Sequence, residues 1–281
     1  MFVAATLAAR IELVEARLSL AVARAVQADR AISSYITELG GGAAVFSRPG
    51  SPVNKLIGLG FAGPLGSLDM DALAAIEAAW HARCEPVRVE LASLADPAVA
   101  EQLAARGYRV RGFEHVLARP LDRSDAAREP PPDITISEHD HDTDWLPTLT
   151  AGFAVPDGSA VTLDPLGQEA LEAIMHDFAA ASGFRRYTAR IAGNLLAPPV
   201  GAAALRIDDG VALLCGAATL PPARRRGVQA AFLATRLRDA SRAGCELAVV
   251  TTEPGSLSQK NIARQGFELA YVRAIVTLPP P

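Results

Sequence analysis

Arg224, Arg225, Arg226 and Gly227 stand where this chain is best arranged to hold an anion. The apolar run Val211 to Leu220 ends in Pro221-Pro222, and a helical pattern from about Val228 to Ala243 follows at once, so the arginines and the glycine fall where a strand hands over to a helix. The first turn of a helix leaves backbone N–H groups unpaired and carries the positive end of the helix dipole, so a phosphate can dock there. Arginine adds bidentate donors. A solvated basic helix start is the plainer reading of the same residues. The strand, turn and helix around them favour the anion site.

Other candidates lead elsewhere. Glu138-His139-Asp140-His141-Asp142-Thr143-Asp144 is rich in metal-ligand types, but no matching cluster lies elsewhere and the run precedes a capped helix containing Trp145, so no metal is expected. Gly58-Leu59-Gly60 lacks the third glycine and the helix start of a nucleotide fingerprint. Asp208-Asp209-Gly210 reads as a hairpin turn and His176 as a surface or packing residue. Cys84, Cys215 and Cys245 are isolated and odd in number, which argues against disulfides or zinc and for a reducing, cytoplasmic setting.

The elements that must position the arginine turn follow in order. Ile134 to Ser137 reads as a strand, Trp145 to Phe153 and Pro165 to Ala181 as helices, and Arg186 to Ile191, Val200 to Ile207 and Val211 to Leu220 as an antiparallel meander. After the helix from Val228 come a strand, Leu247 to Thr252, a short helix ending Arg264-Gln265-Gly266-Phe267, and a strand, Leu269 to Leu278. The first half has the same order of elements. An amphipathic helix, Leu7 to Ala28, precedes a strand at Ala43 to Ser47 and a buried strand at Asn54 to Phe61. A helix (Met70 to Arg83), a strand (Val87 to Ala92), a helix (Asp96 to Arg106) and a strand (Tyr108 to Leu117) complete it. Ala104-Ala105-Arg106-Gly107-Tyr108 echoes Ile262-Ala263-Arg264-Gln265-Gly266-Phe267, which marks an internal repeat. Asp122 to Asp133, with Pro130-Pro131-Pro132, has the composition of a stiff linker.

The stretch from Pro221 to Ala230 resembles the phosphate loop of the GNAT superfamily of N-acetyltransferases, Gln/Arg-x-x-Gly-x-Gly/Ala, with Arg224, Gly227 and Gln229 in the motif's places. Gln229 departs from it, and the resemblance runs on through the strand 247–252 and the strand 269–278. It implies an α/β (α+β) fold of tandem GNAT-like domains, each a mixed, mostly antiparallel sheet flanked by helices. The expected domains are 1–121, a degenerate copy without a phosphate loop, a linker at 122–133, and an acetyltransferase domain at 134–281. It further implies acetyl-CoA as cosubstrate, held by Ala217, Ala218, Thr219, Arg224, Arg225, Arg226, Gly227, Val228, Gln229, Ala230 and Asn261. The acceptor would be a primary amine of a small molecule or peptide, with Phe153, Val155 and Pro156 as wall residues.

For catalysis the resemblance implies backbone polarisation of the thioester around Thr219, and Ser258 one turn before Ile262 as a substitute proton donor. Some members carry a glutamate base where Leu213 stands, and many a tyrosine acid where Ile262 stands. Those departures keep open a second reading, an acyl-CoA-binding regulatory or scaffold protein with weak or no turnover. The turn Ala62 to Ser67 of the first half has no arginine, so one CoA per chain is expected.

Composition is compatible with either reading. The chain has 281 residues, 50% of them hydrophobic, enough for two domains with buried cores. A net charge of −4 argues against nucleic acid as the main partner, and charges interrupt every apolar run of the N-terminal helix, so no membrane association is expected. Oligomeric state is not legible, and a monomer is compatible with halves that pack as a pseudo-dimer.

Overall fold

A computed structural model describes residues 3–28, 34–139, 143–155, 168–193 and 197–281. In chain order its elements are α1 (Ala5–Ala28), β1 (Tyr35–Leu39), β2 (Gly42–Phe46), β3 (Lys55–Ile57), α2 (Ser67–His81), β4 (Val87–Ala92), α3 (Pro97–Ala105), β5 (Arg109–Pro120), β6 (Ile134–His139) and α4 (Trp145–Phe153). There follow α5 (Gln168–Ala180), β7 (Phe184–Ile191), β8 (Gly201–Asp208), β9 (Val211–Thr219), α6 (Val228–Arg242), β10 (Leu247–Thr252), α7 (Leu257–Ala263) and β11 (Glu268–Leu278). Two compact units result: Met1–Val116 with Leu269–Pro281, and Leu117–Glu268.

In the first unit the strands run β1-β2-β3-β4-β11-β5. β3 and β4 are parallel, while the β1/β2, β2/β3 and β4/β11 pairs are antiparallel. α1 buries Ile11, Val14, Leu18 and Val22, the three-to-four spacing of one helix face. The core on the other side gathers Phe46, Leu73, Ile76, Trp80 and Val89, with the Phe46 and Trp80 rings edge to face at 5.4 Å. Truncating Trp80, 1% exposed, would cost about 3–5 kcal/mol.

In the second unit the order is β10-β9-β8-β7-β6, parallel at β9/β10 and antiparallel from β9 to β6. α6 packs on one face through Ala231, Phe232, Leu233, Leu237 and Ala240, against Tyr187, Ala203, Leu205 and Leu214. α4 and α5 cover the other face, where Trp145, Leu149 and Ile174 meet Ala202, Ala204 and Ala218. The turn between β8 and β9 holds Asp209 and Gly210 at positive φ, the hairpin geometry that Asp-Gly favours.

Four expectations change. The strand read over Asn54 to Phe61 stops at Ile57, because Gly58 (φ 80°) and Gly60 (φ 82°) turn the backbone into a region no strand occupies. β1, missed in the sequence, pairs with β2 across a turn at Gly40-Gly41. The segment 122–133 is no free spacer. Asp125, 1% exposed, accepts from Arg119 (2.8 Å) and Arg128 (2.6 Å), while Ser241 and Arg242 of α6 donate to the Asp122 and Ala126 carbonyls. Finally, the last strand falls with the first unit, pairing residues 273–278 with 87–92, so the compact units divide the chain elsewhere than at 121/134. Apolar alternation specifies that a strand exists but not which sheet it completes.

Candidate active site

β9 and β10 are in parallel register only from Val211 to Leu213, opposite Leu247 to Val249. Beyond that point β9 continues to Thr219 and β10 to Thr252 without further pairing between them. On its other edge β9 carries a bulge: Ala202 faces Ala218 and Ala204 faces Cys215, so Gly216 and Ala217 share one place in the ladder. Gly216 has φ 52°. An extra residue is left unpaired at such a site and its backbone is re-aimed. Ala217 and Thr219 are half-buried, Ala218 is buried, and the Thr219 carbonyl accepts from Arg224 Nε at 3.2 Å.

β9 leads through a single helical turn at Pro221–Ala223 into the arginine segment. Arg225 has φ 63° and Gly227, the N-cap of α6, has φ 85°. Both left-handed residues stand directly before the unpaired amides of the first helical turn. A side chain at Gly227 would strain the backbone, yet its Cβ would meet nothing within 4 Å, so the space before the helix is open. The arginines divide their roles. Arg224 is turned inward, donating to the Thr219 carbonyl and to the Val155 carbonyl, which ties the end of α4 to the loop. Arg225 is exposed, and Arg226, also exposed, lines a shallow pocket with Asp133, Ile134, Ile191 and Ala192. Val228 is buried as part of the core, while Gln229 and Ala230 are half-buried.

At the far side of β10, Ser256 caps α7 by accepting from the Gln259 N–H at 3.1 Å. Ser258 is exposed and Asn261 half-buried, one turn apart on that helix. Leu213 is 3% exposed and Ile262 2%, the latter packed in the core beneath α6. Neither position can carry a proton.

Phe153 and Val155 are 41% and 47% exposed at the end of α4, and Pro156 lies outside the described residues. From the run Glu138 to Asp144, positions 140–142 lie outside them too. His139 shares a hydrogen bond with the Thr188 hydroxyl at 2.6 Å, Asp144 pairs with Arg190, and among the described residues no three ligand-type side chains gather for a metal.

Two residues that sequence reading passed over stand behind the bulge. Arg236 of α6, 1% exposed, donates to the carbonyls of Phe232 (3.2 Å), Ala204 (3.1 Å) and Cys215 (3.5 Å), and no carboxylate among the described residues pairs with it. Burial pushes its guanidinium down to about 10, against a small upward pull from Cys215 and Tyr187. Trp145 of α4 donates its indole N–H to the Ala203 carbonyl at 2.8 Å. The available signal was Arg236 itself, a charge on the Phe232-Leu233-Leu237-Ala240 face of its helix.

The first unit fills the corresponding places. The start of α2 holds no arginine, and Asp69 accepts there from the Gly66 and Gly40 N–H groups. Gln102 takes the Leu65 N–H and donates to its carbonyl. Under α1 lies an ion cluster. Arg273 binds Glu12 at 2.7 Å, Lys55 binds Glu90 at 2.9 Å, and Arg88 reaches Glu90 and Glu114 at 2.8 and 3.3 Å. Burial alone would raise Glu90, but Lys55, Arg88 and Arg273 outweigh it and hold the carboxyl at about 2. Burial and the Glu90 charge push Glu114 up to about 7.

No family model and no curated protein matches the chain. Among solved structures it is similar to a GCN5-related N-acetyltransferase from Kribbella flavida, at 19% identity over 95% of each chain and a TM-score of 0.64. It is similar also to a tandem GNAT protein from the clavulanic acid biosynthesis pathway, at 13% identity over 89% of this chain and 83% of that one, TM-score 0.62. A GCN5-related N-acetyltransferase from Sphaerobacter thermophilus matches at 17% identity over 75% and 67%, TM-score 0.54. These likenesses establish the fold, a tandem GNAT arrangement of mixed, mostly antiparallel sheet and flanking helices. No helix among the described residues is long and apolar enough to cross a membrane.

Proposed function

We propose that this chain, having the N-acetyltransferase fold in tandem, binds acetyl-CoA in its Leu117–Glu268 unit and moves the acetyl group to a primary amine of a small molecule or peptide. The observation that carries the reading is the parting of β9 from β10 beside an open, left-handed turn at the head of α6. The backbone of 225–230 and the exposed Arg225 and Arg226 suit a pyrophosphate. Ala217, Ala218 and Thr219 offer backbone groups along the parting, and Ser258 and Asn261 lie on α7, the helix that follows β10.

Acetyl-CoA supplies the activated acyl group as a thioester. The chain's part is to orient it, to present N–H groups to the oxygen that gathers charge, and to bring the amine alongside. Leu213 takes no proton, which favours acceptor amines already neutral at the working pH and turnover that rises with pH. A thiol of pKa about 8.5 leaves unaided well enough that Ile262 does not forbid turnover. Phe153 and Val155 are suited to walls for the acceptor.

The burial of Leu213 and Ile262 also favours a second reading, an acyl-CoA-binding protein that regulates or scaffolds without turnover. Calorimetry with CoA, followed by thiol release from acetyl-CoA across a library of primary amines, tests both. Thiol release with one amine class supports transfer, and binding without release across the library supports the second reading. Absence of CoA binding overturns both.

A further inference from the structure

The bulge in β9 is built from both sides. Three residues of β8, Ala202 to Ala204, stand opposite four of β9, Cys215 to Ala218, so the carbonyls of that stretch cannot all meet amides of the facing strand in regular register. Buried carbonyls need donors. From the α4 face, Trp145, 2% exposed, reaches the Ala203 carbonyl. From the α6 face, Arg236 reaches the carbonyls of Ala204 and Cys215, the pair where regular register resumes.

Arginine is a costly way to satisfy two carbonyls. Removing a cation from water without a counter-charge is strongly unfavourable, and an apolar residue on this face would pack against Phe232 and Leu237 at no such cost. Its Nη1 donates to carbonyls on two neighbouring strands while its Nε takes the Phe232 carbonyl of its own helix, three bonds from one planar group. It also leaves a positive charge directly beneath the bulge.

We propose that Arg236 and Trp145 are positioning residues: by taking the Ala203, Ala204 and Cys215 carbonyls from opposite faces of the sheet, they hold the Gly216-Ala217 bulge so that its backbone N–H groups face the thioester carbonyl of acetyl-CoA. The proposal rests on the acetyl-CoA reading above. The phosphate contacts lie elsewhere, on the 225–230 turn, so binding and polarisation are separable: the turn holds the cosubstrate and the bulge polarises its carbonyl.

The test uses the full chain with acetyl-CoA carrying a 13C-labelled carbonyl, and needs no acceptor. Isotope-edited infrared spectra are recorded for the wild type, Arg236→Met, Arg236→Lys and Trp145→Phe, with affinity measured by calorimetry. Bound to the wild type, the carbonyl stretch is expected below that of free acetyl-CoA. Arg236→Met and Trp145→Phe each return most of that shift while affinity stays within about threefold, and Arg236→Lys, keeping a charge and donors, recovers part of it. If Arg236→Met does not fold, Trp145→Phe decides alone: it removes the N–H and keeps a smaller aromatic ring at the site, and the carbonyl stretch of the bound fraction reads the lost bond apart from any loss of packing. A folded variant that keeps the wild-type stretch overturns the proposal, as does a wild type that binds acetyl-CoA with no shift, and in both cases the binding reading stands. A wild type that binds no CoA overturns the reading itself. A general packing defect would lower affinity and melting temperature together and leave the stretch of the bound fraction unmoved, which counts against the proposal.

Discussion

The carboxylate of Asp69 accepts a hydrogen bond from the backbone N–H of Gly66 at 3.0 Å, so helix α2 begins on its own anion. The other carboxylate oxygen takes the Gly40 N–H at 2.9 Å. Helix α6 begins instead on Gly227, with no acidic residue in its first turn and open space before it. One repeat has closed its helix start against phosphate, and the other has left it available.

That contrast sets a stoichiometry. Calorimetric titration of the full chain is expected to give one CoA per chain, because a phosphate approaching α2 meets a negative charge where α6 presents arginines. A second site that survives loss of the first would show the N-terminal unit to be a working domain.

Gly227→Asp should weaken CoA binding by more than about tenfold, since a carboxylate would project into the space a phosphate needs. Gly227→Asn separates charge from backbone strain, because Asn tolerates positive φ nearly as well and is neutral. The expected order of affinity is wild type, then Asn, then Asp. Equal affinities in folded variants would remove the turn from the binding site.

The ion cluster predicts a pH dependence of the first unit. Glu114 faces Glu90 and Arg88 from β4, Lys55 from β3 and Arg273 from β11, and its carboxyl is raised to about 7. The folded chain therefore holds a proton there that the unfolded chain has already released, so stability falls as pH rises from the usual carboxylate range through about 7. Glu90 acts oppositely, but its contribution is present throughout that window and fades only as pH falls toward about 2. The unfolding midpoint should drop between pH 5.5 and 8, and Glu114→Gln, neutral at every pH, should flatten the slope. A slope unchanged in that variant would count against the assignment.

The chain's two ends are bound together within the first unit. Glu12 of α1 accepts from Tyr271 at 2.6 Å and from Arg273 at 2.7 Å, and β11 lies along β4 over residues 273–278. A chain stopped at Glu268 loses the strand on which both contacts sit, and leaves Glu12 buried without its cation. Hydrogen exchange should then show β4 and α1 unprotected while α6 and β8 keep their protection. Unchanged protection of β4 would mean that the first unit closes without its last strand.

Much of this protein is legible in its sequence because it is local. Val87–Ala92, Trp145–Phe153 and Leu247–Thr252 are bounded by turn and cap residues, and their structured limits coincide with those read from pattern. The arginine turn is legible for the same reason: a strand, two prolines, a glycine and a helix lie within a few residues of one another, and helix-start chemistry needs nothing distant. Tertiary structure alone decided the rest. Alternation in 269–278 marks a strand without naming its neighbour, and only pairing with β4 assigns it to the first unit. Arg236 reads as one more arginine until packing places it against two strands, because what a buried charge does is set by the carbonyls around it, which come from residues 204 and 215, far from it in the chain.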